Sequence, residues 1–233
     1  DLYKRQHPNV YNEIQMERRV LLERLLEPHH HNYIIRMFHA FQDFENLYYL
    51  MDLHTNDLWT QLRYKNLPGY NSGDDDTNNN RAAEKEEALV MMGCHRSTAK
   101  LWLYQLVDAL EHMHQRGIVH RDLKAENILL NSNNDIVLID FGTAKDLMFT
   151  DLNGPEFVGT PDFMSPEAVT GRDDGGTKDV ADIADTGPAA DLWALGALTV
   201  QLQTGHTPYW SPSPYLAFLK IKKALKYPNL RRP

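Results

Sequence analysis

The sequence has little of what membrane and disulfide-bonded proteins require. It contains one cysteine, Cys94, in 233 residues. A single cysteine excludes an internal disulfide framework, and it cannot supply the four ligands of a structural zinc site. The longest clean apolar run, 192–200, is about half of the ~20 residues that a membrane-spanning helix needs. The first residues, 1–5, lack the apolar core of a signal peptide. We therefore expect a protein of a reducing compartment.

Basic residues are also fewer than acidic residues. The chain has 24 Lys and Arg against 32 Asp and Glu, a formal net charge of −8. This balance disfavours non-specific nucleic-acid binding, because a phosphate backbone attracts basic surfaces. Part of the acid lies in two polar stretches, near 66–96 and 170–188. Each has too little apolar surface to offset the entropy of ordering, so we predict that both are disordered insertions.

The remaining residues alternate between helical and strand-like patterns. Apolar spacing predicts a helix over 10–26 and a second, long helix, with Ser97 as its N-terminal cap and Gly117 just beyond its C-terminal end. Two hairpins are predicted, from runs 33–41 and 47–53 and from runs 128–130 and 136–139. Further helices are predicted over 56–64, 189–204 and 215–225. The sequence thus indicates a chain of mixed helices and short antiparallel strands.

The residues with side chains suited to catalysis lie in two segments near the middle of the sequence. His-Arg-Asp-Leu-Lys-Ala-Glu-Asn occupies 120–127, and Asp-Phe-Gly occupies 140–142. A phosphoryl acceptor hydroxyl requires a positioned carboxylate, for which Asp122 is the candidate. Magnesium prefers hard oxygen ligands, and Asn127 and Asp140 supply an amide oxygen and a carboxylate. The ammonium of Lys124 lies two residues beyond Asp122, where it can stabilise a transferring phosphate.

The order and spacing of these segments match the catalytic and metal-binding motifs of protein kinases. The chain resembles the eukaryotic protein kinases in further segments as well. Ser165-Pro166-Glu167 is similar to the element that ends the family's activation segment, with Ser in place of Ala. Lys124 after His-Arg-Asp-Leu follows the serine/threonine pattern, as does Gly159-Thr160, whose threonine in the family bonds the catalytic Asp and Lys. The segment 191–196 is similar to the buried helix whose Asp steadies the catalytic loop.

Within the family, the sequence is most similar to the 3-phosphoinositide-dependent protein kinases of the AGC group. This resemblance rests on the segments 41–43, 47–49, 126–131, 140–145, 157–160, 191–196 and 215–221. It implies protein substrates that are themselves AGC kinases, phosphorylated on their activation loops. It also implies a small-lobe pocket that docks a partner's hydrophobic motif, near Ile14, Arg18, Gln42 and Leu47. The implied location is the cytoplasm, with recruitment to the plasma membrane through a phosphoinositide-binding domain outside this chain.

The resemblance also assigns the binding site for ATP and Mg²⁺. It implies that Asp122, Lys124, Asn127 and Asp140 are catalytic, and that Asn127 and Asp140 hold the metal. Glu17 corresponds to the small-lobe helix glutamate that pairs with the ATP-binding lysine. Met51 corresponds to the gatekeeper residue, and Asp52, Leu53 and His54 correspond to the hinge, whose backbone bonds adenine. Leu129 corresponds to the apolar floor under the adenine. Asp57 and Glu126 correspond to the acidic residues at the ribose.

Two family motifs are missing from the sequence, the G-x-G-x-x-G loop and the V-A-I-K strand. We therefore interpret residues 1–233 as a fragment of a kinase domain, inactive in isolation. The expected fold is α+β and bilobal, with a truncated small lobe and hinge over 1–53 and a mostly helical large lobe over 54–233. A pseudokinase or docking module without catalysis remains an alternative. A small-molecule phosphotransferase of the aminoglycoside-kinase kind shares the Asp…Asn…Asp chemistry but lacks the activation segment.

Overall fold

A computed structural model describes residues 8–25, 30–64, 93–149, 158–170 and 187–226. The helices are α1 (Pro8–Arg19), which continues as a π-helix (Val20–Arg24), α2 (Leu58–Tyr64), α3 (Arg96–Gln115), α4 (Pro166–Thr170), α5 (Pro188–Thr204) and α6 (Pro214–Lys226). The strands are β1 (Met37–Gln42), β2 (Leu47–Met51), β3 (Asn56–Asp57), β4 (Ile118–Val119), β5 (Ile128–Leu130), β6 (Ile136–Leu138) and β7 (Lys145–Asp146). They form three sheets in the orders β1-β2, β3-β5-β6 and β4-β7. The expected fold is confirmed: a few strands with α1 make the small lobe, and the large lobe is mostly helical.

The small lobe joins α1 to the first hairpin. β1 and β2 are antiparallel, with Gln42 opposite Leu47. The Tyr49 hydroxyl donates to the Ile14 carbonyl oxygen at 2.5 Å, which ties the hairpin to α1. The first strand begins at Met37 rather than at Tyr33 as predicted. Residues before it pair elsewhere, because the N–H of Ile35 donates to the Leu138 carbonyl at 2.9 Å.

The helix predicted over 56–64 begins two residues later than expected. Asn56 and Asp57 form β3 and pair with Leu130 and Leu129 of β5. The Asp57 carboxylate accepts a hydrogen bond from the N–H of Thr60 at 2.7 Å, so Asp57 is the N-cap residue that precedes α2. A residue in this capping position keeps an extended backbone, which allows it to end a strand.

The two predicted insertions lie mostly outside the described residues, but their edges are ordered, contrary to the prediction. The N–H of Cys94 donates to the Leu202 carbonyl at 2.6 Å. Helix α3 then begins at Arg96, and its cap is His95, whose ring accepts the Ser97 N–H at 3.4 Å. The predicted cap Ser97 is therefore inside the helix. At the second insertion, Pro188 is already the first residue of α5.

The core lies between α3, α5 and the β3-β5-β6 sheet. Helix α3 buries one face, which includes Trp102, Leu106, Ala109, Leu110 and Met113. Helix α5 buries Ala194, Ala197, Leu198 and Leu202. No helix in the described part of the chain is long and apolar enough to cross a membrane. This core fixes the loops that follow β4 and β6, where the chemical motifs lie.

Candidate active site

The loop 120–127 follows β4 and is held by a buried carboxylate of α5. Asp191, 1% exposed, accepts the backbone N–H groups of His120 and Arg121, each at 2.9 Å. The ring of His114 lies 2.8 Å from the same carboxylate. Arg121 has φ of 68°, a left-handed conformation that is uncommon for residues other than glycine. The two hydrogen bonds to Asp191 therefore hold a strained backbone immediately before Asp122.

Asp122 and Lys124 lie in a closed network with Thr160 and Asn127. Lys124 Nζ lies 2.7 Å from Asp122 Oδ2 and 3.0 Å from the Thr160 hydroxyl oxygen. The Thr160 hydroxyl donates to Asp122 Oδ1 at 2.8 Å. The Asn127 amide donates to the Asp122 carbonyl at 2.9 Å and to Oδ2 at 3.1 Å. The structure thus brings together three of the four predicted catalytic side chains with Thr160, in the contacts with Asp122 and Lys124 that the family resemblance implies.

This network sets the charge state of Asp122. Burial alone would raise the pKa of its carboxyl group. Hydrogen bonds from Lys124 and Thr160, and the positive charge of Lys124, outweigh burial and hold that pKa below its usual value. Asp122 is therefore ionised at neutral pH, and its carboxylate is held in place by these hydrogen bonds.

Asp140, the fourth predicted residue, follows β6 beside the loop 120–127. The N–H of Ile139 donates to the Asn127 carbonyl at 3.0 Å, which places the residue before Asp140 against Asn127. Asp140 has φ of 63°, so the chain turns sharply at this carboxylate. The next residue, Phe141, is fully buried, and its ring centroid lies 5.1 Å from that of His120.

The donor set of Asn127 and Asp140 fits magnesium. The Asn127 nitrogen is occupied by Asp122, and no described residue donates to its side-chain oxygen. An amide oxygen and a carboxylate are hard ligands, and magnesium typically takes one or two protein oxygens together with phosphate and water. Among the described residues there is no cluster of three or more His, Cys, Asp or Glu that could hold a metal by itself. The Asn127 and Asp140 oxygens therefore fit magnesium as the protein part of such a ligand set.

Glu17 of α1 faces the segment that begins at Asp140. Burial raises the pKa of its carboxyl group, and the nearby charge of Asp140 raises it further. A hydrogen bond to the Phe141 backbone acts in the opposite direction. The helix also approaches at Gly142, where an added Cβ would lie 3.4 Å from the Glu13 Cβ. The small-lobe helix therefore contacts the Asp-Phe-Gly segment directly.

The predicted gatekeeper residue, Met51, ends β2, and the three predicted hinge residues follow it. Met51 packs against the core. The N–H of Asp52 donates to the Arg36 carbonyl at 3.2 Å. Leu53 is 88% exposed, and His54 is half-buried. Within the described chain, none of these four residues is hydrogen-bonded to the Asp122 network.

The predicted ribose and adenine-floor residues meet at the β3-β5 pair. Asp57 lies opposite Leu129 in the antiparallel register. Glu126 is exposed in the 3-10 turn that precedes β5. The Asp57 carboxylate is engaged in capping, with one oxygen on the Thr60 N–H and the other on the Thr60 hydroxyl, each at 2.7 Å. The spacing of Asp57 and Thr60, three residues apart at a helix start, is the sequence signal for this cap.

Sequence reasoning missed the contact between His114 and Asp191. His114 lies at helical spacing from the apolar residues Leu110 and Met113 of α3. A polar residue on such an apolar face is itself a signal, because buried polar groups require partners. Here the partner is the carboxylate that holds the loop 120–127.

Comparisons with known proteins agree with this geometry. Residues 3–229 match the protein kinase domain family. The chain is 31% identical to the serine/threonine-protein kinase PKH2 of Saccharomyces cerevisiae over 201 residues, which are 82% of the chain and 15% of that protein. It is 33% identical to human 3-phosphoinositide-dependent protein kinase 1 over 195 residues, 83% of the chain and 28% of that protein. A putative ribosomal protein S6 kinase alpha-1 of Caenorhabditis elegans is 32% identical, over 84% of the chain and 20% of that protein.

These relatives are all kinases, and the chain spans between 15% and 28% of their lengths. The match to the family covers nearly all of the chain, including both chemical motifs at 120–127 and 140–142. The resemblance inferred from the sequence is therefore confirmed. The chain belongs to the protein kinase domain family, among the serine/threonine kinases.

Proposed function

We propose that the protein containing this chain is an ATP-dependent protein serine/threonine kinase. The observation that carries the proposal is the closed network of Asp122, Lys124 and Thr160, with Asn127 hydrogen-bonded to the same carboxylate. A buried carboxylate that is held ionised by a lysine and a hydroxyl suits the orientation of an acceptor hydroxyl. The members of this network lie in loops and short turns that the neighbouring strands and helices hold in place.

In the proposed reaction, Asp122 accepts the hydrogen of a substrate serine or threonine hydroxyl and aligns its oxygen. Its low pKa is suitable, because phosphoryl transfer passes through a loose transition state and requires orientation more than a strong base. Lys124 stabilises negative charge on the transferred group. Asn127 and Asp140 hold magnesium. Bound ATP would supply the γ-phosphoryl group to the hydroxyl oxygen, with ADP as the leaving group, and Glu17 would contribute to the placement of ATP from the small lobe.

The nucleotide would lie between the hinge and the β3-β5 pair. Under this proposal Met51, Asp52, Leu53 and His54 line the adenine, with Leu129 as its floor. Asp57 and Glu126 reach the ribose. These side chains are either half-buried or exposed, so a ligand can reach them. Under the same proposal, residues 1–53 belong to the small lobe and the hinge, and residues 54–233 belong to the large lobe.

For the substrates, we propose the activation loops of other AGC kinases. The support is the 33% identity to a 3-phosphoinositide-dependent protein kinase and the motifs that match that subfamily. The partner's hydrophobic motif would dock beside α1, where Ile14 and Arg18 lie on the helix and the register pair Gln42–Leu47 lies on the hairpin. A cytoplasmic location, with membrane recruitment through another domain, forms part of the same proposal.

Turnover with ATP and magnesium tests the proposed function in the full-length protein. Asp140→Asn should reduce kcat on a peptide substrate by a factor on the order of 10²–10³, because it removes charge from the metal site. Its thermal unfolding should be unchanged. Asp43→Asn makes the same chemical change in the exposed β1–β2 turn and should retain activity. Wild-type protein that binds partners but shows no turnover would instead support a docking module.

A further inference from the structure

The small-lobe helix changes its geometry in its last turn. After Arg19, α1 continues as a π-helix over Val20–Arg24. In an α-helix, residues five apart point about 140° away from each other, at ~100° per residue. The wider π-turn bonds residues five apart and so brings them towards one face. Arg19 and Arg24 accordingly both lie over the ring of Phe149, at 4.8 and 5.1 Å from its centroid.

Arg24 also binds the large lobe at two further points. Its Nε donates to Asp146 Oδ2 at 3.0 Å, and its Nη2 donates to the Arg116 carbonyl at 2.7 Å. The Asp146 side chain is fully buried. The other oxygen of Asp146 accepts the N–H groups of Met148 and Phe149, at 2.9 and 3.2 Å. The Asp146 carboxylate, which holds residues 146–149 in a turn, is thus paired with the Arg24 guanidinium of the small-lobe helix.

The other part of the same helix reaches the start of this segment. Glu17 is hydrogen-bonded to the Phe141 backbone, and Glu13 packs against Gly142. One continuous helix, α1 with its π-turn, therefore contacts both ends of the segment 140–149. Any rotation of the helix about the Arg24 contacts would move Glu17 relative to Asp140.

We propose that Arg24 is a positioning residue, which holds the helix carrying Glu17 against the segment 140–149 through Asp146 and Phe149. Its effect on ATP turnover rests on the proposed kinase function. Its effect on the geometry of Phe141 and Gly142 does not. A misplacement of reacting groups by about 1 Å can reduce the rate by about 10²-fold, so a loosened helix should be visible in kcat/KM for ATP.

A mutant cycle separates positioning from simple stability. Arg24→Gln removes the guanidinium from the buried Asp146 carboxylate and should destabilise the fold, because removing one partner of a buried ion pair is costly. The double variant Arg24→Gln with Asp146→Asn removes both charges and should regain most of the thermal stability. It should nonetheless keep a kcat/KM for ATP at least about tenfold below that of the wild type.

Arg36→Gln provides the matched control. The Arg36 guanidinium lies 4.6 Å from the Phe38 ring centroid, so this change also removes an arginine over an aromatic ring, but away from the segment 140–149. If the double variant of Arg24 and Asp146 has the same kcat/KM as Arg36→Gln, the proposed positioning role is wrong.

Hydrogen exchange at the Phe141 and Gly142 amides gives a second readout that needs no catalysis. We expect at least about tenfold faster exchange in the double variant than in the wild type. Unchanged exchange would overturn the positioning role, even if turnover fell. Faster exchange in a protein whose wild type shows no turnover would support the positioning role and contradict the kinase proposal.

Discussion

Gly159 lies directly against the carbonyl oxygen of Arg121. A Cβ at Gly159 would be 2.7 Å from that oxygen, closer than real Cβ contacts allow, and its φ of +107° is one that other residues rarely adopt. The glycine therefore lets the chain at Thr160 approach the loop that carries Asp122. The backbone conformation of Gly159 therefore determines whether Thr160 can reach Asp122, the proposed catalytic carboxylate.

Gly159→Ala should lower both stability and activity. The strained conformation and the contact with Arg121 together should cost about 1–3 kcal/mol of the free energy of unfolding. The shift of Thr160 should also reduce kcat. Urea unfolding and peptide phosphorylation measure the two effects. Gly196→Ala is the matched control. An added Cβ at Gly196 meets nothing within 4 Å, and Gly196 lies inside α5, where alanine is the better helix former. This control substitution should stabilise the protein by about 0.5–1 kcal/mol, and a loss of activity in it would contradict this explanation.

Thr160→Val should reduce catalysis without unfolding the protein. The change removes the hydroxyl that donates to Asp122 and accepts from Lys124. Hydrogen bonds to charged groups contribute about 1.5–3 kcal/mol, so kcat should fall by about 10- to 100-fold. Because the Thr160 hydrogen bond lowers the pKa of Asp122, the acidic limb of the pH–rate profile should move to higher pH. Thr160→Ser keeps the hydroxyl and should restore both the rate and the profile. Equal profiles for Thr160→Val and the wild type would refute this role.

Ser165→Ala should stabilise the protein. The Ser165 side chain is 2% exposed, and its hydroxyl has no hydrogen-bond partner within the described residues. An unsatisfied buried polar group is unfavourable, so its removal should increase the free energy of unfolding by about 1 kcal/mol. Ser97→Ala should have the opposite sign, because the Ser97 hydroxyl lies 2.8 Å from the His95 ring nitrogen at the start of α3. A lower melting temperature for Ser165→Ala would show that this hydroxyl has a partner in solution.

The sequence predicted the elements that have strong periodicity and clear ends. Helix α3 and the two hairpins follow from apolar spacing, and Gly117 with φ of +72° ends α3 as expected. The motifs at 120–127 and 140–142 were also predictable, because their chemistry requires specific residue types at fixed spacing.

Very short elements, and contacts between residues far apart in the sequence, could not be predicted from apolar spacing. A two-residue strand such as β3 has no periodicity, and its partner β5 is far away in the sequence. The π-turn over Val20–Arg24 follows a normal amphipathic pattern and gives no separate signal. Arg24 and Asp146 are 122 residues apart, so only the packed fold shows that they form a pair.

The contact of His31 with His112 joins the segment before β1 to helix α3. The two ring centroids are 4.6 Å apart, and His31 also lies 3.5 Å from the Asp108 carboxylate. Nε2 of His112 is buried and has no partner among the residues that the structure describes. Burial, the charge of Arg116 and the proximity of His31 lower the pKa of His112 to about 4, although Asp108 acts in the opposite direction.

This lowered pKa predicts that stability falls on acidification. The ordinary pKa of 6.5 applies to His112 in the unfolded chain, whereas the folded value is about 4. Between pH 6.5 and 4 the unfolded state binds a proton at His112 that the folded state does not, so the free energy of unfolding decreases as the pH falls through this window. His112→Phe keeps a ring against His31 but cannot titrate, so its stability should depend less on pH. Arg116→Gln removes a cation that lowers this pKa and should weaken the dependence in part. Urea unfolding from pH 7 to pH 4 tests all three proteins, and the same slope in His112→Phe as in the wild type would show that His112 does not carry the effect.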